Sequence, residues 1–207
     1  MLKYLSKIVR LFFCFNYLLL YAELPEITLN KIRANYPLIL SAATLNNINP
    51  YYLAAIIYTE RTLNYDWEDD AMDIILADAG LNSSIGFCQV KIKTAYFIEK
   101  NLQKQYLPLS KTFEQLLTKL KNDSLNILYA AGYIKLMINR WEKDNCSIKE
   151  KPEILGTLYS TGLYYRDGRE RVPNTNPKSN RFGSLVKEAL GVWEKYINKG
   201  YIKGGAE

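Results

Sequence analysis

A chain of 207 residues with 48% hydrophobic and 23% charged content has the length for one domain with a sizeable core, and this composition excludes a disordered protein. It contains no histidine, which excludes Ser-His-Asp and Cys-His catalysis and any His-containing zinc site. The formal charge of +6 overstates the basicity: removing residues 1–22 takes Lys3, Lys7 and Arg10 and no acid, leaving 24 Lys+Arg against 21 Asp+Glu, or +3. A nucleic-acid partner then loses its main support, while a mildly positive surface still suits an anionic cell-wall polymer.

Residues 1–22 have the pattern of a secretory signal. Lys3, Lys7 and Arg10 precede the apolar run "LFFCFNYLLLYA", which ends at Ala22 before the polar "ELPE". The run is interrupted by Asn16 and falls short of the roughly 20 apolar residues that a membrane span needs. Cleavage would leave residues 23–207 as a single periplasmic or secreted domain; the alternative is an uncleaved anchor. Cys14 would leave with the signal. Cys88 and Cys146 either pair in an oxidising compartment or stay free, one as a buried hydrophobe and one as a loop thiol, and the second reading is preferred. No pair of cysteines has metal-ligand spacing, and neither a metal nor a cofactor is expected.

Downstream the chain reads as helix after helix. "NYPLILSAATLNNINP" predicts an apolar helix, with Pro50 placed to open the next at its first turn. In "YYLAAIIYTERTL", residues 51–63, positions 53, 56, 57 and 60 form one helical stripe: Leu53, Ile56, Ile57 and then Glu60. A carboxylate on that face is desolvated and its pKa rises. Protonated near neutral pH, it can donate a proton to a leaving glycosidic oxygen; the plainer alternative is a Glu paired with Lys or Arg at the edge of a core. Residues 65–79 are acidic at first and apolar later, a short helix or lid closed by Gly80. "LNSSIGFCQV" is turn-rich, and its Ser83, Ser84 and Gln89 are of a kind that holds a sugar or orients a carboxylate, unless the segment is an ordinary turn.

"KIKTAYFIEKNLQKQY" is again helical. "SKTFEQLLTKL" is expected to open with Ser110 as N-cap and Glu114 near the capping-box position. "DSLNILYAAGYIKLMINRW", capped by Asp123, is apolar nearly all round and so central. "KPEILGTLYSTG" ends at Gly162, a good C-cap. Residues 164–182 read as loop, and "GSLVKEALGVWEKYIN" as a closing amphipathic helix. No run alternates well enough for a confident strand. The expected fold is mostly α, with little or no β-structure.

Four of these segments, in order, resemble the signatures of the soluble-type lytic transglycosylases, lysozyme-like secreted enzymes that cleave peptidoglycan: "LILSAATLNNINPYYLAAIIYTER", "GFCQVKIKTA", "LNILYAAGYI" and "ILGTLYSTG". The resemblance covers roughly residues 36–165. It places Glu60 at the family's catalytic glutamate. Gly86-Phe87-Cys88-Gln89 falls where the family reads Gly-Leu-Met-Gln, with Thr94-Ala95 matching its Thr-Ala. Asn126-Ile127 and Tyr133-Ile134 match the Asn-Ile and Tyr-Leu of the long helix. Tyr159-Ser160-Thr161-Gly162 matches a Tyr-Asn-x-Gly whose tyrosine lies near the catalytic carboxyl, and Ser83 or Ser84 would supply a cleft hydroxyl.

There are departures. Arg61 stands where the family has Ser, Cys88 where it has Met and Ser160 where it has Asn; the 28 residues between Glu60 and Gln89 carry the extra acidic segment "DWEDDAMDIILAD". The resemblance implies a lysozyme-like catalytic domain acting on peptidoglycan glycan strands, without nucleic acid, as a monomer and with envelope-machinery proteins as possible partners. It also implies cleavage of the MurNAc-GlcNAc β-1,4 bond by one glutamate, acid then base, giving 1,6-anhydro-muramyl ends. Two alternatives stay open: hydrolysis as in a goose-type lysozyme, with a carboxylate of segment 66–78 positioning water, and a wall-binding envelope protein without turnover.

Overall fold

The computed structural model describes residues 25–63, 83–102, 106–165 and 167–198. The predicted signal segment and the acidic stretch 66–78 lie outside the described residues. The described chain forms α1 (Pro25–Asn46), α2 (Pro50–Leu63), β1 (Ser84–Ile85), β2 (Val90–Lys91), α3 (Ile92–Leu102), α4 (Phe113–Lys121), α5 (Asp123–Lys143), α6 (Pro152–Thr161) and α7 (Arg181–Asn198). The domain is therefore mostly α. Its one sheet among the described residues is an antiparallel pair, with Ser84 opposite Lys91 and Ile85 opposite Val90.

The core is built around α5, which packs against α1, α3, α4 and α6. Ile127, Ala130, Ala131, Ile134 and Met137 are all fully buried, and this spread around the helix is what an element covered on several sides requires. Burying each large aliphatic side chain contributes about 1.5–3 kcal/mol. Helix α7 closes the other side by packing on α6 and α2. Its approach to α6 is so close that a Cβ on Gly183 would lie 1.9 Å from the Glu153 carbonyl oxygen.

Local signals account for most element ends. Asn49 accepts a hydrogen bond from the Tyr51 N–H at 2.9 Å, and Pro50 starts α2 where its missing N–H costs nothing. Gly162, with φ +80°, ends α6 as expected.

Four expectations need correction. Helix α1 begins at Pro25 rather than at residue 35 and runs through Pro37. Proline in a helix interior normally breaks it, but buried Ile32, Ile39, Ala42 and Ala43 give α1 one continuous face across that position. The N-cap of α4 is Thr112, whose hydroxyl accepts from the Gln115 N–H at 3.2 Å. Ser110 instead donates its hydroxyl and N–H to the fully buried Glu99 carboxylate, at 2.7 and 2.6 Å. Burial pushes the Glu99 carboxyl up, but Lys119, the Tyr129 hydroxyl and Ser110 together hold it below its ordinary value. The N-cap of α5 is Asn122, not Asp123: its side chain accepts from the Leu125 N–H at 3.0 Å. Finally, "SSIGFCQVK" forms a hairpin of two-residue strands, too short for alternation to reveal.

Candidate active site

The helical stripe of α2 does what its spacing predicts: Leu53, Ile56 and Ile57 are at most 1% exposed. Glu60, on the last turn, is half-buried and lines a cleft of about 270 Å³. The β-hairpin supplies a second wall through Ser84, Gln89 and Lys91; Thr94, Tyr133, Tyr159, Ser160 and Phe182 complete it. Desolvation pushes the Glu60 carboxyl from its ordinary 4.5 to about 7, against the opposing field of the Lys91 ammonium. Among the described residues lining the cleft, Glu60 is the one carboxylate.

The hairpin turn is held from outside. Asn126, fully buried on α5, donates to the carbonyls of Ile85 (2.9 Å) and Leu120 (2.8 Å) and accepts from the Cys88 N–H (2.6 Å). Gly86 has φ +78°, and a Cβ there would lie 2.2 Å from the Leu120 carbonyl oxygen, so only glycine fits. Gln89 also sits in the left-handed region, at φ +53°, a conformation that costs a non-glycine residue about 1–3 kcal/mol and persists only where its surroundings enforce it. Its N–H and side-chain amide both reach the Gly86 carbonyl, at 3.0 and 3.3 Å.

Tyr159, from α6, donates its hydroxyl to the Cys88 carbonyl at 2.8 Å and packs its ring 5.9 Å from that of Tyr133. Burial, with the Cys88 thiol and Glu60 nearby, pushes the Tyr159 phenol well up, so it stays a hydrogen-bond donor. Cys88 and Cys146 are both free and buried, and burial pushes the Cys88 thiol up, away from nucleophilic thiolate.

Of the residues singled out from sequence, Glu60, Ser84, Gln89 and Tyr159 meet at this cleft. Ser83 is not among its lining residues: it is 9% exposed, and its carbonyl accepts from the Ile92 N–H at 3.1 Å where α3 begins. Sequence reasoning misses Lys91 and Phe182. A lysine after a turn reads as solvated surface, and Phe182 falls at the end of the segment that reads as loop. Asn180, in that same segment, donates to the Ser160 hydroxyl at 3.1 Å and so fills in beside the shorter side chain that replaces Asn.

A family model described as "T6SS, Peptidoglycan muramidase Tse3, catalytic domain" matches residues 22–139, more than half of the chain. The chain belongs to this family. Comparison with curated proteins gave no match. The Tse3 catalytic-domain match begins at the last residue of the apolar N-terminal segment and includes Glu60, the hairpin, Asn126 and Tyr133; Tyr159 and α7 lie beyond it. The lysozyme-like, peptidoglycan-directed character of the domain is thus shown through the Tse3 family, a coarser statement than membership of the soluble-type transglycosylases.

Arg61, the departure next to Glu60, has a clear structural place in this Tse3-family domain. It is 5% exposed, donates to the Phe87 carbonyl at 3.3 Å, and holds its guanidinium 4.9 Å from the Phe87 ring centroid. It therefore ties the end of α2 to the turn that presents Gln89. Arg61→Met should lower stability by about 1–3 kcal/mol, because a buried carbonyl loses a charged donor, and should reduce turnover as the turn loosens. Chemical denaturation and a peptidoglycan-clearing assay read both effects; an unchanged unfolding midpoint would remove this role.

Proposed function

We propose that this protein is a peptidoglycan muramidase of the lytic type, with Glu60 as its acid and base. The observation that carries the reading is a half-buried carboxyl with its pKa near 7, on the wall of a cleft that also presents Ser84, Gln89 and Tyr159. An acid poised near ambient pH is suited to both halves of such a reaction. Protonated Glu60 gives its proton to O4 of the leaving GlcNAc as the C1–O4 bond of MurNAc breaks, with the substrate's N-acetyl group assisting at the anomeric carbon. The resulting carboxylate then takes the proton of the muramyl C6 hydroxyl as O6 bonds to C1, closing the 1,6-anhydro ring and restoring the acid. Ser84 and Gln89 hold the sugar, and Tyr159 keeps the hairpin at its distance from Glu60.

Two-carboxylate glycosidases need a second Asp or Glu across the bond; Glu60, poised near ambient pH, can serve both steps of the one-glutamate route by itself. Hydrolysis is the second reading, favoured by the word muramidase in the family's description. Mass spectrometry of digested peptidoglycan separates them: anhydro-muramyl ends, lighter by one water, support the lytic route, and reducing ends overturn it. We further propose that action is in the cell envelope, where this polymer lies, with residues 1–22 as export signal. N-terminal sequencing of exported protein tests that.

The pH dependence follows from the protonation needed. The free enzyme is competent only with Glu60 protonated, so kcat/KM should fall as pH rises through about 7. A profile flat from pH 6 to 9 would contradict this role.

A further inference from the structure

The β-hairpin brings a cation to the cleft in which Glu60 works. Ser84 and Lys91 are direct partners across the two strands, so their side chains stand on one face of the hairpin. Ile85 and Val90, the next pair along, turn the other way and are buried in the core. The face presented by Ser84 and Lys91 is the one that lines the cleft. Lys91 is exposed, but its backbone is well anchored: β2 runs directly into α3, which packs on α5.

The carboxyl is anchored to the same hairpin. Glu60 lies on the last turn of α2, and its neighbour Arg61 donates to the Phe87 carbonyl at 3.3 Å, in the turn between the two strands. Helix end and hairpin are therefore tied together, which fixes where the ammonium and the carboxyl stand relative to each other. The field of Lys91 acts on Glu60 in the direction opposite to desolvation. The other titratable groups that meet Glu60 among the described residues are Tyr133 of α5, Tyr159 of α6 and the Cys88 thiol of the turn. Burial pushes all three up, Tyr133 to about 12, so they stay neutral through the working range of pH. Thr94 of α3 and Phe182 of α7 line the cleft without titrating, and Arg61 turns its guanidinium to the Phe87 ring.

We propose that Lys91 is a positioning residue of the reaction: its ammonium, held by the hairpin in the Glu60 cleft, stabilises the carboxylate that Glu60 becomes on giving up its proton. The inference rests on the reading of Glu60 as acid and base, and deepens it. Charge develops on Glu60 only as the proton passes to the leaving oxygen, so a cation set in place beforehand favours the transition state over the ground state. The same field holds Glu60 ionised until it takes the proton of the C6 hydroxyl. Lys91 thus acts through Glu60, and its loss leaves a weaker acid.

Glu60 can be read directly, without turnover. In protein carrying carboxyl-labelled glutamate, its carbon resonance is the one missing from Glu60→Gln. The titration midpoint of that resonance should rise by about half a pH unit or more in Lys91→Met, since an opposite charge nearby favours the ionised form. Lys91→Arg should keep the parent value. Added salt should narrow the gap between parent and Lys91→Met, because an exposed ammonium is screened. On peptidoglycan, Lys91→Met should lower kcat about tenfold, less than loss of a buried donor would cost, with KM changed less. The falling limb of kcat/KM should move to higher pH by the same shift as the resonance, because Glu60 then stays protonated longer. Equal midpoints in parent and Lys91→Met, or an effect confined to KM, would overturn the proposal. If the midpoint moves but the parent cleaves no peptidoglycan, the catalytic reading of Glu60 fails while the coupling of the two charges stands.

Discussion

Replacing Glu60 by glutamine is expected to abolish activity while making the protein more stable above neutral pH. The loss should be about 10³-fold or more in kcat, since positioned acid–base groups contribute roughly 10²–10⁴-fold and here one group serves two steps. The gain in stability follows from linkage. The folded-state pKa of Glu60, about 7, lies above its ordinary value of 4.5. Glu60 is protonated in both states below pH 4.5, so it costs nothing there. As pH rises from 4.5 toward 7 the unfolded chain ionises first, and folding is penalised progressively; above 7 the full penalty applies. That penalty is about 3 kcal/mol. Glutamine has the same shape and no charge to desolvate. Thermal unfolding of parent and Glu60→Gln should therefore coincide near pH 4 and diverge by pH 8, the variant melting several degrees higher. Glu60→Gln protein that still clears peptidoglycan would end the catalytic assignment. Melting curves identical at every pH would mean that Glu60 is not desolvated.

That pairing of stability with activity explains why the carboxylate is legible in the sequence. The stripe Leu53, Ile56, Ile57, Glu60 is local, and helical periodicity places all four on one face whatever the rest of the chain does. The helices themselves are readable for the same reason. Caps are less so: Asn122 and Asp123 are both good capping residues, and nothing local says which one turns. Ser110 misleads because its true partner, Glu99, lies on another helix.

The hairpin is legible only as a turn. Its strands are two residues long, and what holds them is Asn126, 38 residues beyond Cys88. Tyr159 is reached through resemblance alone, because no local pattern distinguishes it from the other tyrosines of an aromatic-rich chain. Lys91 and Phe182 stay hidden because their importance comes from which cleft they face, and a cleft is a property of several elements at once. Ser83 and Ser84 show the limit most plainly. Adjacent in sequence, they differ in strand register, and only Ser84 reaches the cleft.

Asn126→Ala should be the most destabilising polar substitution at this site, and its effect should run opposite to that of Glu60→Gln. Its amide serves three backbone groups on two segments: Ile85 and Cys88 of the hairpin and Leu120 at the end of α4. Alanine leaves two carbonyls and one N–H without this partner in a region where Asn126 itself is fully buried. At about 1–3 kcal/mol for each unsatisfied group, and with partial relaxation, the expected cost is about 3–5 kcal/mol. That is a large share of the roughly 5–15 kcal/mol that holds a domain together. The hairpin should fail first, carrying Gln89 and the Tyr159 contact with it, so activity should fall further than the folded fraction does. Gly86→Ala should act on the same turn, since its Cβ would meet the Leu120 carbonyl oxygen at 2.2 Å and the Asn126 amide nitrogen at 2.5 Å. The two changes should therefore be less than additive: once Asn126 has let the turn go, the clash at position 86 matters less. Urea unfolding midpoints of both single variants and the double variant measure this coupling. Strict additivity would mean that Asn126 and Gly86 hold separate structures, and a loss below about 1 kcal/mol for Asn126→Ala would mean that the short strands hold the turn by themselves.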